Sequence, residues 1–319
     1  MIQQQSAPFT TLVTLDHLSD KIRALSYSSN LRKVFIGARE LSCCHVQQRQ
    51  LEKQKENDES MGSIYALHQL GTLLLVGRHD GTLQLFEMDQ CKTSISSIKG
   101  HESTIKCFAS HQSNTNQFYT GSYDCTIKLW DARKMSQALF NVPHVHGGYV
   151  NSITSCNDHV YTTSVDGISV FSISTHQLLE RFKQKTEVLS SCQSSQSPSS
   201  IFFSCKDGSV KVFDTYCNQV IHTLCESTQT SVNCMDSNGT SIFSGNNQGL
   251  VQQFSTECLF EEQSFNPLSA KSCSKPMDNS IRSICCMNQN NSTTNHTPCF
   301  LAVGTQSKQV HILRLGSLQ

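Results

Sequence analysis

Apolar residues along this chain come in short alternating runs, broken by clusters of Gly, Asp, Asn and Ser. The segment "TLLLVGRHDGTLQLFE" (Thr72–Glu87) shows the unit: an apolar run, a His-Asp-Gly turn, then a run in which Leu83 and Leu85 alternate with Thr82 and Gln84. A period of two places alternate side chains on opposite faces of an extended strand, and the turn residues fold two such strands into a hairpin. No segment of useful length keeps the 3.6-residue period of an amphipathic helix, so the pattern predicts an all-β chain.

The hairpin recurs. Its turn position is occupied by Glu40, Asp80, Asp124, Asp166, Asp207, Gln248 and Ser307, spaced 40, 44, 42, 41, 41 and 59 residues apart. A second comb lies between these turns: "IRALS", "IYALH", "IKCFA", "VNSIT", "VLSSC", "VNCMD" and "IRSIC", starting at Ile22, Ile64, Ile105, Val150, Val188, Val232 and Ile281. Its third residue is always small (Ala24, Ala66, Cys107, Ser152, Ser190, Cys234, Ser283), as expected of strands that converge where space is short. A β unit of about 40–45 residues cannot bury its own face and must stack on neighbours. Radial stacking predicts a seven-bladed β-propeller of four-stranded antiparallel blades, forming one unit over 1–319. The blades are expected near 20–58, 60–99, 100–144, 145–183, 184–225, 226–262 and 278–315. The run "FTTLVTLD" at 9–16 precedes the first unit and is expected to close the ring as the outermost strand of the last blade. Residues 47–60, charged and placed where an outer strand is due, are expected to form either a very short strand or a solvated loop, the loop being preferred, and 261–280 and 288–297 surface insertions.

Composition narrows the function. Twenty-five basic and 25 acidic residues balance, which speaks against a nucleic-acid binder driven by counterion release. Sixteen cysteines occur without a Cys-x-x-Cys pair, and the N-terminus lacks the charged and apolar regions of a signal peptide. Most of the cysteines are therefore expected as small buried side chains of a cytoplasmic or nuclear protein. No apolar run approaches a membrane span, and the Asn-x-Ser/Thr sites in 288–297 are not expected to carry sugar.

The sharpest segment is "QFYTGSYDCTIKLWDARK" (Gln117–Lys134), which holds the only tryptophan. Its "GSYD" turn, the Trp130–Asp131 dipeptide and the preceding Gly100–His101 pair resemble a WD-repeat, and the whole chain resembles a seven-bladed WD-repeat propeller. That resemblance implies a hydrogen-bonded network within blade three among His101, Thr120 (or Ser122), Asp124 and Trp130. The donor and acceptor inventory suits it, since an indole only donates, a hydroxyl does both, and imidazole relays to carboxylate. Val46, Phe86, Phe171, Phe213, Phe254 and Leu313 are read at the tryptophan position of the other blades, so His146, the counterpart of His101, is expected in an incomplete network.

Catalytic motifs are absent: there is no Gly-x-Gly-x-x-Gly, Gly-Lys-Ser/Thr, Gly-x-Ser-x-Gly or His-Glu-x-x-His. "HVH" at 144–146 has no third ligand at useful spacing, so no metal, cofactor or small-molecule substrate is expected. The resemblance implies partner binding on the face that carries the tight turns. Its rings are Arg39, His79, Tyr123, Val165, Lys206, Asn247 and Gln306, with Lys21, Ser63, Thr104, Tyr149, Glu187, Ser231 and Ser280 before the inner strands. Tyr123 and Tyr149, flanked by Lys21, Arg39 and Lys206, are the expected centre, with His79, Thr104 and Asn247 beside them. The implied function is a non-catalytic scaffold or adaptor in a multiprotein complex, binding other proteins or peptides. A ubiquitin-ligase subunit reading an acidic or phosphorylated motif is the alternative, and a propeller enzyme the remote one.

Overall fold

A computed structural model describes residues 9–16, 18, 20–46, 51–53, 62–91, 93–143, 146–226, 228–256, 271–272, 277, 280–287 and 300–315. Seven four-stranded antiparallel sheets lie at 24–53, 64–99, 105–142, 152–183, 188–225, 232–272 and 281–315, the last completed by Phe9–Leu15. Within blades one to six the strands follow chain order outward from the centre, so each blade is a meander. The inner strands touch in sequence around the ring, and that of blade seven (Ile281–Met287) returns to that of blade one (Ala24–Ser28).

The interlock between blades follows from the two combs. The first residue of each inner strand is a fully buried Ile or Val that drives into the second strand of the preceding blade. In five blades that slot is a glycine: a Cβ on Gly37 would sit 2.7 Å from Ile64, and one on Gly304 would sit 2.5 Å from Ile22. The small third residue borders the same slot, with Cys107 Sγ 2.7 Å from where a Gly121 Cβ would lie. Its size is thus limited by the paired strand and the next blade. Backbone bonds reinforce the joints, including Ile64 N to Ala38 O at 2.7 Å and Ile22 N to Thr305 O at 3.3 Å across the ring closure.

The closing strand is borne out: Phe9–Leu15 pairs antiparallel with Val310–Leu315, Leu15 is buried, and Gln309 donates to Asp16 at 2.7 Å. Two outer strands differ from expectation. Leu51–Lys53 pairs with 42–44, so the charged 47–60 segment contains the very short strand and not the loop that was preferred. Lys271–Ser272 pairs with Gln252 and Gln253, so blade six reaches into the segment read as an insertion. An outer strand has one neighbour and a solvated edge, so it needs no apolar alternation to form. Residues 288–297, including the Asn-x-Ser/Thr sites, lie outside the described residues, as does His144.

Candidate functional site

Blade three carries the polar network. His101, 1% exposed, approaches Asp124 through Nδ1 at 2.9 Å and Thr120 Oγ1 through Nε2 at 2.7 Å; Trp130 Nε1 donates to Thr120 Oγ1 at 2.9 Å. An ionised carboxylate only accepts, so Nδ1 carries the imidazole proton and Nε2 accepts from Thr120. Burial lowers the His101 pKa despite the neighbouring carboxylate, keeping the ring neutral. Burial would raise that of Asp124, but hydrogen bonds from His101 and Thr126 outweigh it and hold the carboxyl well below the usual range. The Trp130–Asp131 aspartate turns outward to Arg133, with contacts of 2.9 and 2.6 Å.

Blade four holds a shorter version: His146 contacts Asp166 at 2.6 Å and Thr162 at 2.9 Å, with Phe171 in the tryptophan slot. The network lacks its indole donor, as expected, and Thr162 also lies 3.3 Å from the Ser169 carbonyl. In blade one the slot belongs to Cys44, which pairs with Val34, and not to Val46. The blade-one turn is two residues shorter than that of blade three: Gly37 pairs with Leu41, whereas Gly121 pairs with Ile127.

The two rings of turn residues are pinned to each other. Backbone amides of His79, Tyr123, Lys206, Asn247 and Gln306 donate to the carbonyls of Ser63, Thr104, Glu187, Ser231 and Ser280, at 2.8 to 2.9 Å. In these five blades the turn and the start of the inner strand therefore form one rigid lip. Tyr149, 55% exposed, stacks on Tyr123 with ring centres 4.5 Å apart. Tyr65 continues the row edge-on to Tyr123 at 6.4 Å, stacks on His79 at 5.3 Å, and has the Arg23 guanidinium over its face at 4.9 Å. Burial pushes the Tyr123 phenol up to about 12, so it stays protonated.

Other expected members separate. Thr104 is fully buried, bonded to His79 at 2.7 Å and donating to the His79 carbonyl at 3.0 Å. It supports the face from beneath and is not available to a partner. Lys21, Arg39, Lys206 and Asn247 are exposed, but Lys206 is paired with Glu187 at 3.1 Å. Lys21 and Arg39 stand on blade one, Lys206 on blade five, with blades six and seven between them on one side and two to four on the other. They do not form one cationic cluster.

Sequence reasoning passed over the second position of the inner comb: Arg23, Tyr65, Lys106, Asn151, Leu189, Asn233 and Arg282. In blades two, three, five, six and seven this residue is the extra one of a β-bulge. A bulge re-aims its side chain at a sheet rim, which is where binding groups are often carried. The available signal was variation in size and charge at one position between two invariant-looking neighbours.

Two thiols at the third position of the inner comb are chemically quiet. Cys107 and Cys234 are buried, and burial pushes both up to about 12. Among the described residues no three His, Cys, Asp or Glu side chains form a metal cluster, and no helix is long and apolar enough to cross a membrane.

A closed ring of seven four-stranded antiparallel sheets with this face defines a seven-bladed β-propeller. Over 99% of the chain it is similar, with a TM-score of 0.80 and 12% identity, to 95% of a chain in the crystal structure of the mitotic checkpoint complex. Residues 92–131 match the family of the WD domain, G-beta repeat. The WD repeat-containing protein 55 homolog of Dictyostelium discoideum is 22% identical over 184 residues, covering 57% of this chain and 44% of that protein. The guanine nucleotide-binding protein subunit beta of Zea mays is 30% identical over 161 residues, 46% of this chain and 42% of that one. These matches span less than half the length of either relative. The chain belongs to the WD-repeat β-propeller family.

Proposed function

We propose that the chain is a non-catalytic interaction platform within a multiprotein assembly, and that its turn-bearing face receives a polypeptide segment across blades two to four. The observation that carries this reading is the Tyr65–Tyr123–Tyr149 row, ending in a tyrosine that is 55% exposed although stacked on its neighbour. A tyrosine held by stacking loses little side-chain entropy on binding and offers both an apolar face and a hydroxyl, which suits an interface anchor. The pinned lips beneath it reduce the ordering cost of association. Family membership supports the reading: one relative is named a subunit, and the similar structure is that of a complex.

The test compares quantitative affinity purification from cells expressing wild-type chain and Tyr149→Ala. The exposed substitution should leave thermal stability nearly unchanged while depleting a defined set of co-purifying proteins by several-fold. An identical set of partners at identical abundance refutes the assignment of the face.

A further inference from the structure

The second residues of the inner comb, five of them on bulges, lie around the centre of the ring, and six of them divide into two arcs. On one side, Asn151 and Asn233 spend their amides on the next blade, donating to Val188 O and Ile281 O, each at 2.9 Å. On the other, Arg282, Arg23, Tyr65 and Lys106 stand on consecutive blades, seven, one, two and three. Arg23 is neutralised by Asp20 at 2.8 Å, and Asp20 also accepts from Ser63 at 3.1 Å. Arg282 donates to a neutral group, Gln306 Oε1, at 2.8 Å.

Lys106 stands apart. It sits on the bulge of blade three, adjoining the tyrosine row, and its ammonium makes no hydrogen bond or ion pair among the described residues. Burial pushes its pKa down; the neighbouring Cys107 and Cys234 thiols oppose that shift, and Arg282 and Arg23 add to it. A half-buried cation at a channel mouth shared with Arg282 and Arg23, without a counter-ion, is an arrangement that a bound anion improves.

We propose that Lys106 is the charge anchor of this face, taking one carboxylate from an aspartate or glutamate of a partner polypeptide that lies over Tyr65, Tyr123 and Tyr149. The inference rests on the interaction reading above and adds the chemistry of the partner. The inventory of donors favours a single carboxylate over a phosphate. Arg23 is already committed to Asp20, and Lys206 to Glu187. Lys106 is left with its three N–H groups, and Arg282 with those not given to Gln306. A dianionic group with three acceptor oxygens calls for a cluster of free forks, which this arc does not supply.

The experiment selects binders to the full chain from a library of random twelve-residue peptides and measures the selected peptides against wild type, Lys106→Met and Tyr149→Ala. Lys106→Met preserves side-chain length and removes an enclosed charge, so it should fold with a melting temperature no lower than wild type. Selected peptides should share one acidic position, bind Lys106→Met at least tenfold more weakly, and lose the same factor when that acid becomes its amide. Combining the two changes should bring no further loss. Peptides without an acid, binding to Lys106→Met within twofold of wild type, or tenfold tighter binding when phosphoserine replaces the acid would each overturn the proposal. If Tyr149→Ala abolishes binding while Lys106→Met does not, the face stands and the anchor falls. If neither variant matters, or no peptide is selected, both fall.

Discussion

Replacing Asp124 by alanine tests the blade-three network most directly. The carboxylate accepts from His101 Nδ1 at 2.9 Å, the Glu102 amide at 3.0 Å, the Thr126 amide at 3.0 Å and the Thr126 hydroxyl at 2.7 Å. Alanine removes all four acceptor contacts. The Thr126 hydroxyl rotates to another partner at little cost, and the two turn amides lie near the surface, where water recovers most of their bonding, leaving about 0.5 kcal/mol each. His101 is different. It is 1% exposed, and its Nδ1–H is left with only the Thr126 hydroxyl at 3.0 Å, so about 2 kcal/mol is lost there. The expected destabilisation is about 3 kcal/mol. Trp130, the only tryptophan, sits one hydrogen bond from His101's partner Thr120, so its fluorescence during urea unfolding reports on this blade. Far-ultraviolet circular dichroism follows all seven sheets in the same titration. An Asp124→Ala midpoint equal to wild type in both signals refutes the claim that the network stabilises the blade.

His68, held against Ser110 at 2.7 Å and Phe108 on the next blade, has its pKa pushed down to about 4 by burial. Its native form resists a proton that the unfolded chain accepts near 6.5, so its contribution is intact above pH 6.5 and is lost as pH falls toward 4. The acid side of the stability–pH curve should flatten in His68→Gln, and an unchanged slope between those values contradicts the assignment. Deleting residues 1–16 removes buried Leu15 and uncovers the edge of Val310–Leu315. The truncated chain should aggregate or melt several degrees lower, measured by size-exclusion chromatography and calorimetry; a monodisperse species of equal stability contradicts closure by this strand.

The amino-acid sequence alone determined the strands, the seven-fold count and the closing role of Phe9–Leu15, because alternation, turn chemistry and a fixed repeat are local properties of a chain. It also marked His101, Thr120, Asp124 and Trp130, whose spacing within one unit is set by a single hairpin and the loop before it. The sequence left the outer strand Leu51–Lys53 undecided against a loop and missed Lys271–Ser272, since a solvated edge imposes no pattern on its residues. Cys44 displaced Val46 because a turn two residues shorter slides the register, and a slide is seen only once strands are paired. What the tertiary structure alone decided is the face. Arg23, Tyr65, Lys106, Tyr123 and Tyr149 come from four blades, and none is next to another in the chain. Bulges carry Tyr65, Lys106 and Arg282, a pinned lip holds Tyr123, stacking holds Tyr149, and ring closure brings blade seven round to blade one. Such a site depends on distances between blades, which the close packing of Ile and Val against glycine fixes and no single repeat encodes.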